Sequence, residues 1–122
     1  MVEVLVMQVN INPRYRKLLE SLREARELLA RPDNEFAWSS WEDALGALRE
    51  IDGLILRIES GDMPKRSELE FLFLPTGPIQ EVSESSGWGE EFLSVANRFD
   101  KGVEIAYSTG VIACLRRLVS WY

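Results

Sequence analysis

The chain has 122 residues with 14 basic and 20 acidic side chains, which gives a net charge of −6 at neutral pH. It contains no histidine and one cysteine, so Ser-His and Cys-His nucleophiles, His-ligated metals, intramolecular disulfides and zinc thiolate clusters are excluded. An acidic chain is a poor partner for a phosphate backbone, so we expect no nucleic-acid partner. The length and the 46% hydrophobic content predict one domain over residues 1–122.

The first third of the chain predicts a strand and then a helix. Residues 2–9 are apolar on both faces, which is typical of a strand covered on both sides. Asn12 and Pro13 predict the N-cap and first position of a helix that stops before Pro32. Residues 1–10 have no basic n-region, and no apolar run approaches ~20 residues, so we expect neither a signal peptide nor a membrane span and place the protein in the cytoplasm.

A second helix is predicted over residues 40–60. The sequence SSWE from Ser39 to Glu42 fits a capping box, and Gly61 predicts the C-terminal cap. Gly53 weakens this helix by ~1 kcal/mol relative to alanine without having to break it. A short connection between the two helices predicts an antiparallel hairpin.

The second half of the chain predicts more strands. Apolar runs at residues 69–74 and 79–83 favour a buried strand and a short returning strand, joined by the Pro-Thr-Gly-Pro turn at residues 75–78. A third helix is then predicted to begin after the loop at residues 85–89 and to end at Gly102.

The last residues complete the predicted order. Residues 103–107 alternate like a strand, and the spacing of residues 111–122 predicts a final helix, with Cys114 as a buried, inert thiol. The order is β-α-α-β-(β)-α-β-α, an α+β (or α/β) fold in which a small sheet is packed by the helical hairpin and the other helices. A homodimer through the final helix is an alternative prediction.

Acidic side chains and tryptophans occur together in two places. Residues 32–62 contain 2 basic and 8 acidic side chains, whereas residues 1–31 have a net charge of +2 and residues 63–122 of −2. If the starts of the second and third helices adjoin, they form an acidic patch with indole rings, which suits a cationic protein partner. The candidate partner-binding residues are Asp33, Glu35, Trp38, Trp41, Glu42, Asp43, Trp88, Glu90 and Glu91.

Two other interpretations stay open. Acids in the first turn of a helix offset its dipole, and Trp41 and Trp88 begin apolar stripes, so these residues also fit a purely structural role. The loops at residues 75–78 and 87–89 alternatively predict a small-molecule site or an enzyme. No diagnostic catalytic motif is present, so a non-enzymatic role is favoured, and no catalytic residue, cofactor or metal is assigned.

Two resemblances accompany these patterns. The stretch from Trp38 to Asp100, WSSWEDALGAL…FLFLPTGPIQEVSESSGWGEEFLSVANRFD, looks like a set of small, acidic bacterial proteins of uncharacterised function. The predicted element order is similar to that of the barstar family, acidic intracellular inhibitors of a basic ribonuclease, and Asp43-Ala44-Leu45 after an aromatic-rich loop resembles the family's acidic second-helix region. This chain is longer and adds a Pro-Thr-Gly-Pro turn and a final helix. The resemblance implies a protein-binding or inhibitory, immunity-like function.

Overall fold

The computed structural model describes residues 12–108, and each structural statement below concerns that part of the chain. It contains a short 3₁₀ turn, Pro13–Tyr15, and five α-helices. The helices are α1 (Arg16–Leu29), α2 (Ala44–Glu59), α3 (Arg66–Leu72), α4 (Pro78–Ser86) and α5 (Gly89–Ala106). No strand occurs among the described residues. The predicted α+β fold is therefore wrong, because this part of the chain is a helical domain without a sheet.

Helix α1 lies between α2 and α5. Ion pairs join it to both neighbours: Arg23–Glu59 and Arg26–Asp52 with α2, and Glu24–Arg98 and Arg31–Glu91 with α5. In both sets the partner's residue number falls as the number in α1 rises, so α2 and α5 both run antiparallel to α1. The predicted antiparallel hairpin of the first two long helices is confirmed.

The predicted start of α1 is also confirmed. The Asn12 side-chain oxygen accepts a hydrogen bond from the Arg14 backbone nitrogen at 3.0 Å, and Pro13 opens the 3₁₀ turn that leads into the helix. Proline suits this place because the first helical nitrogen has no partner within the helix. The buried side chains of α1 recur every three or four residues and form its core face: Leu18, Leu19, Leu22, Ala25, Leu28 and Leu29.

Helix α2 begins four residues later than predicted. Its N-cap is Asp43, whose carboxylate accepts a hydrogen bond from the Gly46 backbone nitrogen at 2.9 Å. The predicted capping box is wrong because the Ser39 hydroxyl is used in a turn, where it donates to the Phe36 carbonyl at 3.0 Å and accepts from the Trp41 nitrogen at 3.2 Å. This turn directs Trp41 into the core before the helix starts.

The other predictions for α2 hold. The helix continues through Gly53 without a break and ends at Glu59. Gly61 follows with a φ of 85°, a left-handed conformation that glycine adopts without steric cost and that commonly terminates helices.

The three strands predicted in the second half, at residues 69–74, 79–83 and 103–107, are wrong, because these residues lie in helices or in the turns that directly follow them. Leu69 and Leu72 are the buried residues of α3, and Ile79 and Val82 are buried in α4. A spacing of three residues places two side chains on one face of a helix, whereas it would place them on opposite faces of a strand. Short apolar runs are compatible with both structures, and here the burial pattern selects the helix.

Helix α5 continues past its predicted end. Gly102 lies inside the helix and is buried against α1, and Val103 and Ala106 continue the core face beyond it. Aromatic packing fixes the helix against the segment after α3: the rings of Phe73 and Phe99 stack with centroids 4.0 Å apart and an interplanar angle of 13°.

Two predictions lie outside the described residues: the strand at residues 2–9, and the final helix at residues 111–122 with Cys114 and its dimer contact. The likeness to the barstar family depended on the order of strands and helices. Since three of the predicted strands are helices, that likeness loses its topological basis.

Candidate functional site

The three tryptophans predicted to face a partner occupy different environments. Trp38 is 78% exposed, whereas Trp41 is 8% exposed and Trp88 is 2% exposed. Trp41 and Trp88 therefore belong to the core, so for these two residues the purely structural role holds. Of these three rings, Trp38 alone is available to a partner.

The two buried indoles anchor the connection between α1 and α2. The Trp41 Nε1 donates a hydrogen bond to the Glu50 carboxylate at 3.1 Å, which fixes the ring against α2. The Trp88 Nε1 donates to the Asn34 side-chain oxygen at 2.8 Å, and the Asn34 amide nitrogen donates to the Leu28 carbonyl at 2.7 Å. Asn34 thus links the end of α1 to the start of α5.

The connection also contacts the junction of α4 and α5. The Glu35 backbone nitrogen donates a hydrogen bond to the Ser86 hydroxyl at 2.9 Å, and Arg31 pairs with Glu91 at 3.4 Å. The start of α5 therefore adjoins residues 31–35 of the connection. Among the predicted acids, these contacts bring Asp33, Glu35, Glu90 and Glu91 to one region of the surface.

Part of the acidity of residues 32–62 is structural. Asp52, Glu59 and Asp62 form ion pairs with the arginines Arg26, Arg23 and Arg57. Part of the net positive charge of residues 1–31 and of the net negative charge of residues 32–62 therefore belongs to ion pairs that join α1 to α2. The remaining acids of residues 32–62 have no lysine or arginine partner among the described residues: Asp33, Glu35, Glu42, Asp43 and Glu50.

Some of these unpaired acids have local roles. Asp43 caps α2, and the Glu35 carboxylate accepts a hydrogen bond from the Ala37 backbone nitrogen at 2.9 Å. Asp33 and Glu42 are exposed and have no hydrogen-bonding partner within the described part of the chain. We call the group Asp33, Glu35, Trp38, Glu42 and Asp43 the Trp38 surface.

A second feature is an open cleft between α4 and α5. Its lining includes Gln80, Glu84, Gly87, Gly89, Glu90 and Leu93 and contains no lysine or arginine. Leu93 is 65% exposed and was not among the residues predicted from the sequence. The sequence could have indicated that Leu93 is exposed, because Leu93 falls outside the helical stripe formed by Phe92, Val95 and Phe99.

The two loops of the small-molecule alternative have different roles. Gly77, in the first loop, is buried, and a Cβ added to it would lie 2.6 Å from the Phe71 carbonyl oxygen, so the residue serves close packing. Gly87, in the second loop, has a φ of 84° and ends α4. This second loop lines the cleft, and the first does not.

One perturbed titratable group lies at the opposite end of α5. Partial burial raises the pKa of Tyr107, and the nearby Tyr15 and Glu68 act in the same direction. The Tyr107 hydroxyl donates a hydrogen bond to the Pro64 carbonyl at 2.6 Å, which ties the end of α5 to the segment before α3.

Residues 12–108 contain no group of three or more acidic or cysteine side chains arranged to hold a metal ion. No helix in the same range is long and apolar enough to cross a membrane. Comparison of the chain with known protein families, curated proteins and solved structures finds no match.

Proposed function

We propose that the chain is a protein-binding or inhibitory module, of the immunity type found in bacteria, that engages a basic partner through the Trp38 surface. The observation that carries this proposal is the exposure of Trp38, 78% of whose surface is open while Trp41 and Trp88 are buried. Exposed indoles supply large, rigid contact areas and are enriched among the residues that dominate binding energy at protein interfaces.

The charges beside Trp38 support a cationic partner. Asp33, Glu35, Glu42 and Asp43 share the connection with the indole and form no ion pair within the described residues. Carboxylates bind lysine and arginine side chains, and a neighbouring indole adds cation–π contact. The proposal places this interaction in the cytoplasm, which fits a chain whose one cysteine cannot form an internal disulfide.

Capture of partners from a bacterial lysate, compared among variants of the full chain, tests this proposal. Trp38→Ala and the double variant Asp33→Lys, Glu42→Lys should lose the basic partner that the unmodified chain retains. Asp33 and Glu42 are suitable because neither has a hydrogen-bonding partner in the described structure, whereas a change at Asp43 would also remove the cap of α2.

The matched controls are Leu56→Ala, which alters an exposed side chain on α2, and Asp52→Asn, which removes an acid already paired with Arg26. Both should retain the partner, and its capture should weaken as the salt concentration rises. Retention of the same partner by Trp38→Ala and by the lysine double variant would refute the proposal.

A further inference from the structure

We propose that the α4–α5 cleft binds a basic amphipathic segment of the partner protein. An apolar side chain of that segment packs on Leu93, and its lysine or arginine side chains pair with Glu84 and Glu90. This inference depends on the proposed function and deepens it by assigning a second contact region and the chemistry of its occupant.

Leu93 is the apolar anchor of this cleft. Its side chain is 65% exposed, although the preceding residue, Phe92, is 3% exposed and faces the core. Leu93 therefore contributes little to the core of α5 and offers a contact area that a partner would remove from water.

The floor of the cleft is open backbone. A Cβ added to Gly87 or to Gly89 would meet nothing within 4 Å, so neither position is crowded by neighbouring atoms. Because these glycines have no side chains, a partner's side chain can approach the backbone between Glu84 and Leu93.

The charge on the walls selects the occupant. Glu84 accepts a hydrogen bond from the Gln80 amide nitrogen at 2.8 Å, which holds its carboxylate at the edge of the cleft, and Glu90 is exposed on the other side. Basic groups are absent from the lining. Acidic walls beside an exposed leucine complement a segment that carries cations next to apolar residues, as an amphipathic basic helix does.

The cleft lies beside Glu35, one residue of the Trp38 surface. The hydrogen bond from the Glu35 nitrogen to the Ser86 hydroxyl joins the acidic connection to the last residue of α4. In this proposal one partner contacts Trp38 and Leu93 together, with the apolar groups as anchors and the carboxylates around them.

Titration of the full chain with a fluorescein-labelled amphipathic helical peptide of lysine and leucine, followed by fluorescence anisotropy, tests this inference. Leu93→Ser should weaken binding about tenfold or more, as expected for an interface anchor. Leu56→Ser is the matched control because Leu56 is also 65% exposed, and it should leave binding unchanged. The double variant Glu84→Gln, Glu90→Gln should weaken binding and reduce its dependence on salt.

The outcomes separate the two proposals. Loss of binding in Leu93→Ser, together with weaker binding of a scrambled peptide of the same composition, supports the cleft whatever Trp38→Ala does. Loss of binding in Trp38→Ala but not in Leu93→Ser overturns the cleft and leaves the Trp38 surface standing. Three other results would also overturn the cleft proposal. The scrambled peptide could bind as well as the helical one, or the helical peptide could fail to bind at low salt. Small metabolites could stabilise the chain in a way that Leu93→Ser abolishes.

Discussion

Gly102 of α5 lies directly against the backbone of Leu18 in α1. A Cβ placed on Gly102 would come within 2.7 Å of the Leu18 nitrogen and 2.9 Å of its Cα, closer than real side chains approach a backbone. The glycine therefore allows two antiparallel helices to approach at this point. Gly102 therefore serves the close packing of two helices and does not end α5, although glycine often ends a helix.

Replacement of Gly102 by alanine should lower the free energy of unfolding by about 1–3 kcal/mol, because the added methyl group requires one helix to move. The matched control is Gly53→Ala in α2, where an added Cβ meets nothing within 4 Å. That change should raise the free energy by roughly 0.5–1 kcal/mol, since alanine favours the helix more than glycine does. Urea denaturation followed by circular dichroism measures both values, and a gain in stability for Gly102→Ala would contradict the close contact between Gly102 and Leu18.

Asn34→Ala should destabilise the domain by about 1–3 kcal/mol, because it leaves a buried indole donor without a partner. Trp88 is 2% exposed, and its Nε1 donates to Asn34, which in turn donates to the Leu28 carbonyl. Asn97→Ala, at an exposed position of α5, is the control and should change stability by less than about 0.5 kcal/mol. Similar denaturation midpoints for the two variants would show that Asn34 does not act as this link.

The pKa of Tyr107 predicts a loss of stability in alkali. Burial raises this pKa in the folded state, so above the unfolded value of about 10 the folded protein holds its proton more tightly than the unfolded chain. The stabilisation that the protonated Tyr107 hydroxyl provides is therefore fully present below about pH 10. It is lost as the pH rises through the pKa that this hydroxyl has in the folded state.

Tyr107→Phe tests this dependence. The variant should be less stable at neutral pH by about 1 kcal/mol, because it loses the hydrogen bond to the Pro64 carbonyl. It should also lose less stability than the unmodified chain between pH 9 and pH 11, as measured by denaturation at each pH. Parallel losses in the two proteins would show that Tyr107 does not contribute to this pH dependence.

The sequence identified the long helices because their apolar spacing and end signals agree. Asn12 and Pro13 mark the entry to α1, and Gly61 follows the end of α2. In α5, Val103 and Ala106 continue the helical stripe. From the sequence, however, Gly102 predicted the end of the helix, and the β-branched residues after it predicted a strand. Local pattern alone cannot show that Gly102 contacts Leu18, since that contact depends on how the helices pack.

The sequence predicted which types of residue form the candidate site, but it predicted only partly where those residues lie in the fold. The association of acids with tryptophans was visible, but the pairing of Asp52 and Glu59 with arginines of α1 depends on the tertiary structure. Trp38 and Trp41 are three residues apart, a spacing that would put both on one face of a helix. The helix begins only at Ala44, so the turn before it sends one ring outward and the other inward.

Replacement of single tryptophans should separate the exposed ring from the buried ones. Trp38→Ser should change the free energy of unfolding by less than about 0.5 kcal/mol, because its ring is 78% exposed. Trp41→Ser and Trp88→Ser should each cost about 3–5 kcal/mol, since they remove a buried ring and leave Glu50 or Asn34 without its indole donor. Denaturation of the three variants side by side measures the difference. A cost for Trp38→Ser equal to that of the buried positions would place this ring in the core and remove the anchor of the Trp38 surface, whereas a negligible cost leaves Trp38 free for a partner.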